Sequence, residues 1–91
     1  MSTMKRVHMI GIGGIGMSAL AQLLVHDGVR VTGSDREASP VTNMLEQKGI
    51  HVLVPQRAEN IPEDTEVVVS ADAVHDDNSE RMRARATGIP Q

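Results

Sequence analysis

A chain of 91 residues, 40 % hydrophobic and 23 % charged, makes one small domain, and a net charge of −3 without a basic patch excludes nucleic acid as an expected partner. There is no cysteine, which removes disulfide and thiol chemistry, and no Phe, Tyr or Trp, so a bound base cannot stack on an aromatic ring. The longest apolar stretch is too short and glycine-rich to span a bilayer, and no signal-peptide core follows Lys5 and Arg6, so a cytoplasmic protein without membrane insertion is expected.

Residues 7–12 form an apolar run that ends in glycines and reads as a buried parallel strand. From residue 15 to 27 the period changes, and Ile15, Ala19, Leu20, Leu23 and Leu24 are expected on the inward face of a helix closed by Gly28. Residues 29–32 make a second strand. Ser39 and Pro40 read as N-cap and first residue of a helix through Val41, Met44 and Leu45 that stops at Gly49. Residues 50–54 make a third strand ended by Pro55. A polar loop follows over residues 56–65, with a short turn near residues 59–61. Residues 66–70 make a fourth buried strand. Asn78 caps a last helix, with Met82 and Ala86 expected inward, and Gly88 and Pro90 end it.

This alternation predicts an α/β, Rossmann-like three-layer domain with a parallel sheet of four or five strands and right-handed crossovers. Ligands of such sheets bind beyond the carboxyl ends of the strands. Those ends are residues 11–16, 33–36, 54–57 and 70–75.

Gly11-Ile12-Gly13-Gly14-Ile15-Gly16 matches G-x-G-x-x-G between a predicted strand and a predicted helix, the context that the motif requires. Gly11 is expected to permit the tight turn, Gly13 to clear a path for phosphate, Gly14 to add backbone freedom and Gly16 to let the helix pack closely on the strand. The helix N-terminus offers unpaired N–H groups and the positive end of the dipole to an anion. Ser18 could bond a phosphate oxygen. Asp35 lies 19 positions beyond Gly16, at the distance of a carboxylate that accepts from ribose hydroxyls, with Gly33 and Ser34 beside it. Arg36 is read as a surface residue, His8 as a packing residue of the first strand, and Asp72, Asp76 and Asp77 as solvated charge before Asn78. His26, His51 and His75 lack metal-ligand spacing, so no metal site is expected. There is no G-x-x-x-x-G-K-[ST] and no nucleophile–base pair, so the chain reads as a binding domain with no catalytic residue and no cofactor of its own.

The run from His8 to Ser18, with its double glycine followed by Met17-Ser18, closely resembles the start of the Mur ligases. The likeness continues through Val31-Thr32-Gly33-Ser34-Asp35, Ser39-Pro40-Val41-Thr42, Glu59-Asn60-Ile61-Pro62, Val67-Val68-Val69-Ser70, Asp77-Asn78 and Gly88-Ile89-Pro90, nearly the whole chain. The resemblance implies that residues 1–91 are the N-terminal domain of a larger ligase of peptidoglycan synthesis. Such a domain holds the uridine diphosphate of UDP-N-acetylmuramate, while a central domain binds ATP and magnesium and a C-terminal domain helps bring the amino acid. It implies that Gly13, Gly14, Ile15, Gly16, Met17 and Ser18 meet the diphosphate, and that Ser34 and Asp35 lie at the uridine side. Ser70, Ala71, Asp72 and Ala73 are further candidates, although Ala71-Asp72 stands where the family has a small hydroxyl pair or Thr-Pro, and a carboxylate there would repel phosphate unless it points away. Ser79 stands where the family has proline. Three alternatives remain open: the NAD-binding half of a dehydrogenase, the sister ligase that attaches a preformed tripeptide, and a regulatory nucleotide-sensing module with no enzyme attached.

Overall fold

In the first strand, Val7 and Met9 alternate with His8 and Ile10, and this period of two sends the pairs to opposite faces of a sheet. The computed structural model, which describes residues 5–91, shows a parallel sheet built on that alternation. In chain order the elements are β1 (Arg6–Ile10), α1 (Ile15–His26), β2 (Arg30–Ser34), α2 (Pro40–Gln47), β3 (His51–Leu53), a 3₁₀ turn (Ala58–Asn60), β4 (Val67–Ser70) and α3 (Ser79–Ala86). The strand order is β3-β2-β1-β4, so four strands form the sheet. Val7, Met9, Val31 and Val52 pack under Ala21 of α1 and Leu45 of α2. Ile10 and Val68 pack on the other face with Ile61 and with Ala84 of α3. The expected three layers are present.

The caps follow the sequence. Ser39 accepts from the Thr42 amide while the Thr42 hydroxyl accepts from Ser39 N–H, a reciprocal capping box with Pro40 at the first position of α2. Asn78 accepts from the amides of Glu80 and Arg81 at the start of α3. Gly28 and Gly49 take positive φ where α1 and α2 end.

Three expectations are corrected. β1 ends at Ile10 rather than at residue 12, because the amides of Gly11 and Ile12 both turn to the Ser34 carbonyl, at 2.9 and 3.0 Å. Ile12 is still fully buried, since its side chain lies across Gly33, where an added Cβ would sit 2.8 Å from Ile12 Cβ. The inward face of α1 is carried by Met17, Ser18, Ala21 and Leu24, while Ile15, Leu20 and Leu23 are exposed, Ile15 to 88 %. Period alone could not choose between two apolar faces of an almost uncharged helix. In α3 the inward residues are Glu80 and Ala84, not Met82 and Ala86, which are exposed.

Glu80 is fully buried on α3. Its Oε1 accepts from His8 Nε2 at 2.6 Å and from the Ser34 hydroxyl at 2.7 Å. Its Oε2 accepts from the Arg57 amide and from Asn60 Nδ2, both at 3.0 Å. His8 Nδ1 completes the network at 2.7 Å from Thr32 Oγ1. Burial by itself pushes the Glu80 carboxyl up. The bonds from His8, Ser34 and Asn60, with the attraction of His8, outweigh it and hold the group below the ordinary glutamate value of 4.5.

Gly33→Ala is expected to cost about 1–3 kcal/mol, because the fully buried Ile12 must shift to admit the methyl group; chemical denaturation reads this directly. Glu80→Gln is expected to lower stability at neutral pH by about 1–3 kcal/mol, since buried donors lose their acceptor. The carboxyl is depressed in the folded state, so its stabilisation is full above the unfolded value of 4.5 and is lost as pH falls through the folded value. Denaturation curves of the two proteins should therefore converge in acid, and a gap constant with pH would contradict the assignment.

Candidate functional site

α1 begins differently from the other helices. Its N-cap is Gly14, without a side-chain cap and without an acidic residue in the first turn. The first bond back to the cap is from Ser18 N–H to the Gly14 carbonyl at 2.8 Å. The amides of Ile15, Gly16 and Met17 therefore point out of the helix without an intrahelical acceptor, at the positive end of its dipole.

The turn that leads there is held on both sides. Gly11 has φ of +81°, and a Cβ on it would sit 3.1 Å from Ala71 Cβ and 3.2 Å from Val74 Cγ2, so glycine is needed both for the turn and for the approach of the loop after β4. The Gly13 amide donates to Asp35 Oδ2 at 2.8 Å, and Asp35 Oδ1 accepts from the Arg36 amide at 2.8 Å. A Cβ at Gly13 would lie 2.7 Å from that Asp35 oxygen and 3.1 Å from Thr42 Cγ2. The missing side chain of Gly13 thus makes room for Asp35 and Thr42. Gly16 is exposed with nothing within 4 Å of where a Cβ would stand, so close helix–strand packing is not its role.

A cavity of about 650 Å³ opens beside this turn. It lies where the strand order reverses between β1 and β4, the usual ligand position of an open parallel sheet. Gly11 and Gly14 form one side, Asp35 and Arg36 another, and Ala71, Ala73, Val74 and His75 a third. Gln56, Asp77 and Asn78 close the far end, where Asn78 Nδ2 donates to Gln56 Oε1 at 2.8 Å. Arg81 Nη1 donates to the Val74 carbonyl at 2.8 Å and its Nη2 pairs with Asp76 at 3.1 Å, which ties the loop after β4 to α3.

The sequence-derived candidates divide accordingly. Gly11, Gly14, Asp35, Ala71 and Ala73 line the cavity. Ile15, Gly16 and Met17 lie next to Gly14 on the turn that borders it. Gly33 and Ser34 are buried, with the Ser34 hydroxyl given to Glu80. Ser18 is buried and its hydroxyl donates to the Ile15 carbonyl at 3.0 Å. The Ser70 hydroxyl is buried without a hydrogen-bond partner among the described residues. Asp72 is exposed and does not line the cavity.

Gln56, His75, Asp77 and Asn78 were not singled out as site residues from the sequence. Gln56 and His75 carried a weak signal, since both fall within the predicted carboxyl-end segments. Asn78 was legible only as a helix cap, and it lines the cavity as well. Among the described residues no group of three or more His, Cys, Asp or Glu could hold a metal ion, and no helix is long and apolar enough to cross a membrane.

The family model for the Mur ligase family, catalytic domain, matches residues 6–91. A UDP-N-acetylmuramate–L-alanine ligase of Roseobacter denitrificans is 49 % identical over 84 residues, 92 % of this chain and 18 % of that protein. One of Clostridium kluyveri is 45 % identical over 86 residues, 94 % of this chain and 19 % of that protein. The crystal structure of UDP-N-acetylmuramate–alanine ligase from Thermotoga maritima superposes with a TM-score of 0.90 at 42 % identity, covering 97 % of this chain and 20 % of that one. The UDP-N-acetylmuramate:L-alanyl-γ-D-glutamyl-meso-diaminopimelate ligase of Neisseria meningitides superposes at 0.87 with 30 % identity, covering 97 % of this chain and 28 % of that one. The chain spans about a fifth of the length of the alanine ligases that it matches. With the family model covering all but its first five residues, the chain belongs to the Mur ligase family.

Proposed function

We propose that residues 1–91 are the N-terminal, nucleotide-holding domain of a longer UDP-N-acetylmuramate–L-alanine ligase of peptidoglycan synthesis, and that they bind the uridine diphosphate of UDP-N-acetylmuramate. The observation that carries this reading is the uncapped N-terminus of α1 beside the cavity at the strand-order reversal. Unpaired amides and a helix dipole suit a diphosphate. The diphosphate would take the amides of Ile15, Gly16 and Met17, because the Gly13 amide is already given to Asp35. The nucleoside would then extend toward Asp35 and Arg36. The higher identity to the alanine ligases than to the tripeptide-adding ligase favours L-alanine as the amino acid.

ATP and magnesium do not fit these residues. The glycine turn has no lysine to reach a terminal phosphate, and among the described residues no cluster of three or more His, Cys, Asp or Glu could hold a metal. In this reading they belong to a central ATPase domain of the same cytoplasmic polypeptide, with a C-terminal domain beside it, and residues 1–91 alone are inactive as a ligase.

Titration of the chain with UDP and separately with NAD, followed by amide NMR shifts, is expected to move Ile15, Gly16, Met17 and Asp35 with UDP and to move them less with NAD. Larger saturable shifts with NAD would replace this reading with a dinucleotide-binding one. Asp35→Ala is expected to weaken UDP binding by about 1–3 kcal/mol if the carboxylate accepts a nucleoside hydroxyl. Calorimetry showing tighter binding would instead mean that Asp35 competes with the diphosphate for the Gly13 amide.

A further inference from the structure

We propose that Glu80, which lies outside the cavity, is a positioning residue that sets the distance between its walls; the proposal rests on the nucleotide reading above. Three wall segments meet at its carboxylate. The Ser34 hydroxyl donates to it directly before the cavity residues Asp35 and Arg36. The Arg57 amide donates to it directly after the cavity residue Gln56. Glu80 is itself two residues beyond Asn78, which caps α3, lines the cavity and bonds Gln56. Asn60, the fourth donor with His8, also bonds the Pro55 carbonyl at 2.9 Å and so fixes the start of the loop that carries Gln56.

The chemistry of the acceptor is specific. His8 and Ser34 converge on one oxygen, and the Arg57 amide and Asn60 on the other. An ionised carboxylate accepts at both oxygens, whereas a glutamine offers one acceptor and turns an NH₂ toward the other pair of donors. Toward the Arg57 amide and Asn60, which can only donate, the NH₂ pushes the loop after β3 away; toward His8 and Ser34 it is accepted only when the imidazole changes tautomer and the hydroxyl rotates, which breaks their present bonds and shifts β1 and β2. In both cases the separation between Asp35 and Gln56 changes while no ligand contact is removed. Because the carboxylate is fully buried, water cannot restore the lost bonds.

The alternative is that Glu80 only stabilises the domain, and Ala84→Gly separates the two. Ala84 is the other buried residue of α3 and does not itself line the cavity, and glycine there weakens the helix without removing a bond of the network. Hydrogen exchange and UDP titration are measured on the wild type, Glu80→Gln, Asn60→Ala and Ala84→Gly, at a temperature where each is folded. In Glu80→Gln the Asp35 amide, which is bonded to the Leu53 carbonyl and not to Glu80, is expected to exchange at least about tenfold faster, and the UDP Kd to rise at least about tenfold. Asn60→Ala, which removes one donor, is expected to show the same two changes at smaller size. Ala84→Gly is expected to leave the Kd at the wild-type value and to speed exchange only by the few-fold that its lost helix stability accounts for. Wild-type Kd and exchange in folded Glu80→Gln would overturn the proposal, and so would equal losses in Ala84→Gly. If Glu80→Gln does not fold, Asn60→Ala decides by the same criteria. If the wild type does not bind UDP, the nucleotide reading fails, and exchange at Asp35 alone decides whether Glu80 positions the wall.

Discussion

Ser34 is the joint on which the rest of the domain turns. Its carbonyl accepts the amides of Gly11 and Ile12, which bends the chain off β1 and directs it into α1. Its hydroxyl donates to Glu80, which fastens the end of β2 to α3 on the other face of the sheet. One residue thereby couples the glycine turn, the carboxyl end of β2 and the start of the last helix. The strand pairing places it opposite Ile10 on one side and Leu53 on the other, so the joint sits inside the sheet rather than in a loop.

From that joint the glycine turn acquires its character by what surrounds it. Gly11 yields to Ala71 and Val74, Gly13 to Asp35 and Thr42, and Gly33 to Ile12. These glycines make room for the protein's own side chains, while the amides from Ile15 to Met17 are left without an intrahelical acceptor. Asp35 places a carboxylate against the turn in the position where a bound anion would otherwise seek the Gly13 amide. The charge there is therefore internal to the turn.

The buried polar network on the α3 face replaces part of an apolar core that is small on that side, where Ile10, Ile61, Val68 and Ala84 are the buried hydrophobic residues. Four donors for one carboxylate satisfy the buried charge, which lets the group stay ionised without contact with solvent. Since its partners lie on β1, β2 and the loop after β3, the network ties distant parts of the chain more specifically than apolar contact could. A domain this size has little hydrophobic area with which to do the same.

The sequence alone determined the element order, the caps at Ser39 and Asn78, the glycine terminations and the end of the sheet at which the cavity opens. Those features are local: a cap, a glycine with positive φ and a run of β-branched residues depend on neighbours within a few positions. It also placed Asp35 at the cavity, because the spacing from the glycine turn follows from the length of one helix and one strand. Only the tertiary structure decided which face of α1 and α3 is buried, since α1 has apolar residues on more than one face and buries Ser18, and the inward Glu80 of α3 breaks the hydrophobic pattern. The same holds for the division of Ser18, Ser34 and Gly33 from the cavity and the recruitment of Gln56, His75 and Asn78 to it. Those outcomes depend on contacts across as many as 72 positions of chain, from His8 to Glu80, and no local pattern records where a distant hydrogen-bond partner will arrive.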